Sequence, residues 1–231
     1  MILYLLIMLP FLLLGFWAQN NVKGTFAKWS QVRASSGRTG AEVARAILDR
    51  NGLQNVPVQH TPGELSDHYD PRKRTVNLSD SVFGSNSVAA VSVAAHEVGH
   101  AIQHQKAYAP LAIRSALFPV AALGSQAFMP LFFIGVILYA SQPILGQYAL
   151  IAAVGLFAFS VLFQLVTLPV EFDASRRAKA QLQEMTLYPA GGQEAVGTSK
   201  VLSAAALTYV AAALAAVAQL SYYVVMLMGR R

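Results

Sequence analysis

The residues best suited to chemistry stand together in Ala95-His96-Glu97-Val98-Gly99-His100-Ala101. On a helix, positions four apart share one face, one turn above each other. His96 and His100 can therefore offer two imidazole nitrogens to a single metal ion. Glu97 projects beside them, where a carboxylate can take a proton from an activated water. This is the HExxH pattern of metal-assisted hydrolysis. The plainer alternative is an accidental match in a helix that packs for structural reasons. Against it stands the preceding apolar run of Val88, Ala89, Ala90, Val91, Val93, Ala94 and Ala95, which buries the helix. Imidazoles and a carboxylate on a buried helix need a partner to offset their desolvation.

Two histidines leave a catalytic zinc short, because such sites hold three protein ligands and a water. A metzincin would place its third histidine where Lys106 stands and a glycine where Gln103 stands, so that arrangement is excluded. His104 lies one further turn along, ~6 Å past His100. A straight helix cannot close three such ligands around one ion, so His104 is expected to be a supporting or surface residue. His60 and His68 fall in a strand-like region and are expected to form hydrogen bonds or face substrate.

The best remaining candidate is Glu171, in Leu168-Pro169-Val170-Glu171-Phe172-Asp173-Ala174-Ser175-Arg176-Arg177. Pro169 fits the first turn of a helix, which predicts a helix beginning there with Glu171 close to its N-terminus. The competing reading is that Glu171 and Asp173 merely complement a helix dipole.

The elements that must position these groups follow from composition. Of 231 residues, 55% are hydrophobic and 12% charged, too apolar for an ordinary soluble enzyme. The absence of cysteine excludes a disulfide framework and any thiolate-ligated zinc. The net charge of +6 sits beside apolar segments without interleaved aromatics, which favours a membrane surface over nucleic acid.

Residues 1–18 read as an uncleaved N-terminal anchor helix. Residues 19–115 read as the catalytic region. There a helix with Val43, Ile47 and Leu48 on one face ends at Asn51-Gly52, and short strands are expected at Val56–Val58, Ser66–Tyr69 and Thr75–Ser79. Ser85 to Ser87 offer caps for the helix that carries the histidines. The Thr75–Ser79 strand is expected to be the edge that pairs with an extended substrate. Tyr69 and His68 are candidates for stabilising an oxyanion.

Residues 116–168 form a membrane hairpin of two uncharged spans joined at Ser141-Gln142-Pro143, each long enough for a hydrocarbon core of ~30 Å. Residues 169–200 carry the third ligand and a connector, and residues 201–231 form a last apolar helix. The hairpin connector has no basic residue and the C-terminal tip has Arg230 and Arg231, while every other Lys and Arg shares a side with His96 and Glu171. The positive-inside rule puts that side in the cytoplasm of a bacterial cell membrane.

The combination of HEVGHAIQH with LPVEFDASRRA, preceded by GELSDHYDP and followed by KVLSAAALTYVAAAL, resembles the YugP-type neutral zinc metallopeptidases over nearly the whole chain after the first anchor. It is more distantly similar to the heat-shock-type and prenyl-protein membrane zinc peptidases, which share HExxH and a downstream Glu-Phe-x-Ala-Asp block. The resemblance implies a gluzincin-like site, with one zinc per chain held by His96, His100 and Glu171. Those distant relatives carry a supporting aspartate four positions after the ligand glutamate. Ser175 stands there in this chain, leaving Asp173, Ser175 or another residue to orient the histidines.

The expected molecule is an α+β membrane protein, mostly helical, with about four transmembrane helices and a small gluzincin-like zinc peptidase domain. It would hydrolyse peptide or protein substrates at the cytoplasmic membrane face with Glu97 as general base, in contact with membrane lipid and without nucleic acid. The rival is a zinc-stabilised scaffold without catalysis, although a purely structural site has no use for Glu97. An intramembrane protease would need a longer apolar span than Val88–Ile102, and a transporter would need ionisable residues within the hairpin.

Overall fold

The structure is a computed structural model in which residues 2–187 and 191–229 are described. Arg230 and Arg231, used above for orientation, lie outside the described residues. The described chain is mostly helical with one small sheet, and it divides into two compact units. Four helices are long and apolar enough to cross a membrane: α1 (Ile2–Ser30), α5 (Ala109–Ser141), α6 (Pro143–Glu184) and α7 (Gln193–Met228).

One unit comprises residues 18–111 and 169–208. Its first short helix, α2 (Gly40–Arg50), begins in a capping box. Thr39 Oγ1 accepts from the Glu42 amide, and the Glu42 carboxylate accepts from the Thr39 amide at 2.7 Å. Val43, Ile47 and Leu48 share a face at helical spacing and are fully buried. Each such side chain contributes ~1.5–3 kcal/mol on burial.

Three strands follow: β1 (Val58–His60), β2 (His68–Asp70) and β3 (Thr75–Leu78), ordered β1-β3-β2. β3 pairs parallel to β1 and antiparallel to β2. The Thr75–Ser79 segment is therefore the central strand, with both edges occupied, and not the edge expected from sequence. Its alternating apolar residues Val76 and Leu78 are buried, which is what a central position requires. A single-turn helix, α3 (Asp80–Phe83), leads to the histidine-bearing α4 (Val88–Gln105). Ser87 caps α4, its Oγ accepting from the Ala90 amide at 3.2 Å.

Several boundaries differ from the sequence reading: β1 lies at Val58–His60 and not Val56–Val58, and β2 at His68–Asp70 and not Ser66–Tyr69. α7 begins at Gln193 and not at 201, and two helix boundaries bear on the site. Helix α1 runs on to Ser30 because Phe26 and Trp29 find a core against Val88, Ala89 and Val201. Helix α6 does not start at Pro169 but passes through it. An interior proline costs about 3 kcal/mol and removes the donor to a carbonyl one turn back. Continuity is maintained by Val170, Ala174, Ala178 and Leu182, a stripe at four-residue spacing with no exposure. Ala178 and Leu182 share one core with Ala94, Val98 and Ala101 of α4. The helix-dipole explanation of Glu171 and Asp173 thereby falls, since both stand deep inside a helix.

The other unit comprises residues 2–17, 112–168 and 209–229. Within it α5 and α6 approach closely. A Cβ on Gly124 would stand 2.4 Å from the Leu156 carbonyl, and Ser160 Oγ donates to the Ala121 carbonyl at 2.9 Å. Small residues permit such backbone approach between apolar helices. Phe128, Phe157 and Tyr223 form an aromatic core, while Leu5, Phe16, Ile137, Tyr148 and Val225 are exposed.

Candidate metal centre

α4 carries His96, Glu97 and His100, and α6 supplies Glu171. The two helices meet where Gly99 faces Ala174. A Cβ at Gly99 would lie 2.6 Å from the Ala174 carbonyl oxygen. The missing side chain lets the backbones close and brings a carboxylate on α6 within reach of both imidazoles.

His96 Nε2 stands 3.2 Å from Glu171 Oε2, and His100 Nε2 stands 3.6 Å from the same atom. The imidazole planes lie nearly perpendicular at 85° with centroids 4.8 Å apart. With zinc–ligand bonds of ~2.0–2.1 Å, the edge of a tetrahedron is about 3.4 Å. The two imidazole–carboxylate separations bracket that edge, the three ligand atoms all lie within 4.8 Å of one another, and two imidazoles with one carboxylate form a donor set that suits zinc. His96, His100 and Glu171 are the groups among the described residues placed to share an ion. Burial disfavours a charged His100, yet the neighbouring Glu171 carboxylate outweighs it and draws the imidazole above its ordinary range.

The outer nitrogens of both imidazoles are also held. His100 Nδ1 lies 3.0 Å from Gln103 Oε1, and His96 Nδ1 lies 3.2 Å from Ser175 Oγ. Gln103 in turn donates from Nε2 to the Val170 carbonyl at 2.8 Å and to Asp173 Oδ2 at 2.9 Å. Arg177 Nε donates to Asp173 Oδ2 at 2.5 Å, and Arg176 pairs with Asp173 Oδ1. Ser175 thus contacts His96 directly, whereas Asp173 reaches His100 only through Gln103.

Gln103 was missed as a site residue by sequence reasoning, which used the position only to exclude a glycine. A signal was available. It is a polar residue one turn past His100, on the same face of α4.

Glu97 is buried beside the cluster, and burial pushes its carboxyl above the usual carboxylate range, opposed by the two imidazoles. It has no hydrogen-bond partner among the described residues, so its oxygens remain available to water.

The other histidines stand apart. His104 Nδ1 is 2.9 Å from Tyr69 Oη, His60 Nε2 is 2.5 Å from Asp80 Oδ1, and His68 Nδ1 donates to the Ser66 carbonyl at 2.8 Å. Tyr69 and His68, the oxyanion candidates, are thus engaged with these partners.

No solved structure matches the chain significantly. Residues 4–228 match the model of a family described as "Putative neutral zinc metallopeptidase". The chain is also 50% identical over 218 residues to the "Putative membrane protease YugP" of Bacillus subtilis (strain 168), covering 94% of this chain and 93% of that one. Matches over nearly the full length place this protein in the family described as "Putative neutral zinc metallopeptidase".

Proposed function

We propose that the protein is a membrane-embedded zinc endopeptidase with a gluzincin-like catalytic core. The observation that carries this reading is the convergence of His96, His100 and Glu171 from two helices, with Glu97 next to them and without a hydrogen-bond partner among the described residues. Zinc at such a site supplies a Lewis acid that lowers the pKa of a water towards ~7 and polarises a carbonyl.

The protein's own residues do the rest. Glu97 accepts the proton of the attacking water and returns it to the leaving amine. Gln103 and Ser175 hold the ligating rings in place. With β3 enclosed on both sides, the outer edge of β2 is the strand offered to an extended substrate. β2 packs on α4, and Asp67 at its start is close enough to influence Glu97 electrostatically.

A cytoplasmic site is supported by the basic residues Lys23, Lys28, Arg114, Arg176, Arg177 and Lys179, which flank the apolar segments. Catalysis is tested on detergent-purified protein. It should hold about one zinc per chain and cleave an unfolded protein such as casein. A chelator should abolish cleavage and added zinc should restore it. Zinc-loaded protein that cleaves nothing while remaining folded would favour the scaffold instead.

A further inference from the structure

Gln103 is fully buried one turn beyond His100, and its surroundings assign each atom of its amide. Nε2 faces the Val170 carbonyl at 2.8 Å and Asp173 Oδ2 at 2.9 Å. Both are acceptors, because Asp173 is kept as a carboxylate by Arg177 at 2.5 Å and by Arg176. The NH₂ group must therefore point at them, and Oε1 must point at His100 Nδ1. An amide oxygen only accepts, so the proton of a neutral His100 must sit on Nδ1. That leaves the lone pair on Nε2, the nitrogen that faces Glu171 Oε2 at 3.6 Å. Ser175 Oγ beside His96 cannot impose the same choice, since a hydroxyl donates or accepts equally well.

We propose that Gln103, anchored by Asp173, is the positioning residue that fixes His100 in its metal-binding tautomer. The inference rests on the reading of His96, His100 and Glu171 as a zinc site. The negative charge stays on Asp173, two hydrogen bonds away from the imidazole and compensated by two arginines. Asp173 is thus the far anchor of an amide relay and not the direct partner of a ligand.

The test is the zinc dissociation constant of the full chain in detergent, measured by competition with a chromophoric chelator. Q103M keeps the volume and removes the hydrogen bonds, and it should weaken zinc ~10–100-fold, the usual effect of losing such a partner. Q103E keeps the acceptor for His100 but sets a carboxylate against Asp173 and the Val170 carbonyl, and should also weaken zinc. The double variant Q103E/D173N exchanges amide and carboxylate between the two positions. Its hydrogen bond runs the opposite way while His100 still meets an acceptor, so it should bind zinc more tightly than Q103E, with the part of the loss due to the unmatched Val170 carbonyl persisting. S175A should lose less than Q103M.

Wild-type affinity in Q103M would overturn the proposal and reduce Gln103 to packing. A double variant no better than Q103E would overturn the relay. A wild-type chain that binds no zinc would fail the site itself and the relay with it. Wild-type binding with an indifferent Q103M would fail the relay alone.

Discussion

His96 and Glu171 are 75 positions apart in the chain, yet their ligating atoms stand 3.2 Å apart. The first half of that pair was legible in sequence because helical periodicity puts His96, Glu97 and His100 on one face. The second half needed chain tracing through the hairpin, and Glu171 was reached although its helix was placed wrongly. The supporting residues were far less legible. Gln103 and Ser175 act through single hydrogen bonds whose direction depends on tertiary placement, which residue type alone does not reveal. His104 differs instructively from the ligands. It continues α4 beyond His100 and pairs with Tyr69, as a straight helix dictates. Glu171→Gln should therefore weaken zinc by more than the ~10–100-fold typical of a supporting residue. His104→Ala should leave zinc binding near the wild-type value. Dissociation constants of the two variants measured side by side check this, and metal loss in His104→Ala with retention in Glu171→Gln would reverse the ligand assignment.

Among the elements, two short-range rules held and two were overridden. The capped α2 and α4 formed as their end residues dictate, with Thr39 and Ser87 at the caps. The start expected at Pro169 did not occur, because the apolar stripe from Val170 to Leu182 outweighs the cost of one interior proline. β3 became central because strand order is a non-local property that alternation cannot disclose. Gly99 is the element-scale device on which the site depends. Gly99→Ala would insert a methyl group 2.6 Å from a backbone oxygen of α6, where no flexible side chain can yield. Separation of the helices should cost ~1–3 kcal/mol as overpacking does, lowering the thermal midpoint and weakening zinc together. An unchanged midpoint and zinc affinity would show that the close approach is dispensable.

The described residues combine four helices long and apolar enough to cross a membrane with a group, His96, His100 and Glu171, that could hold a metal ion. Composition made that membrane character plain, whereas the division into two units and the central β3 are products of folding. The proposed orientation rests on charge, and labelling can check it because the chain has no cysteine of its own. A cysteine at Ser141 should react with a membrane-impermeant thiol reagent applied to intact cells, and one at Ser35 should not. The reverse pattern would move the site out of the cytoplasm. Whatever the orientation, the central claim is that this membrane protein hydrolyses peptides with Glu97 as its base. The direct measurement is hydrolysis by zinc-loaded Glu97→Gln at equal metal content. A carboxamide cannot accept the water's proton, so the rate should fall by ~10² or more while zinc and fold are retained. Cleavage at the wild-type rate by that variant would contradict the account.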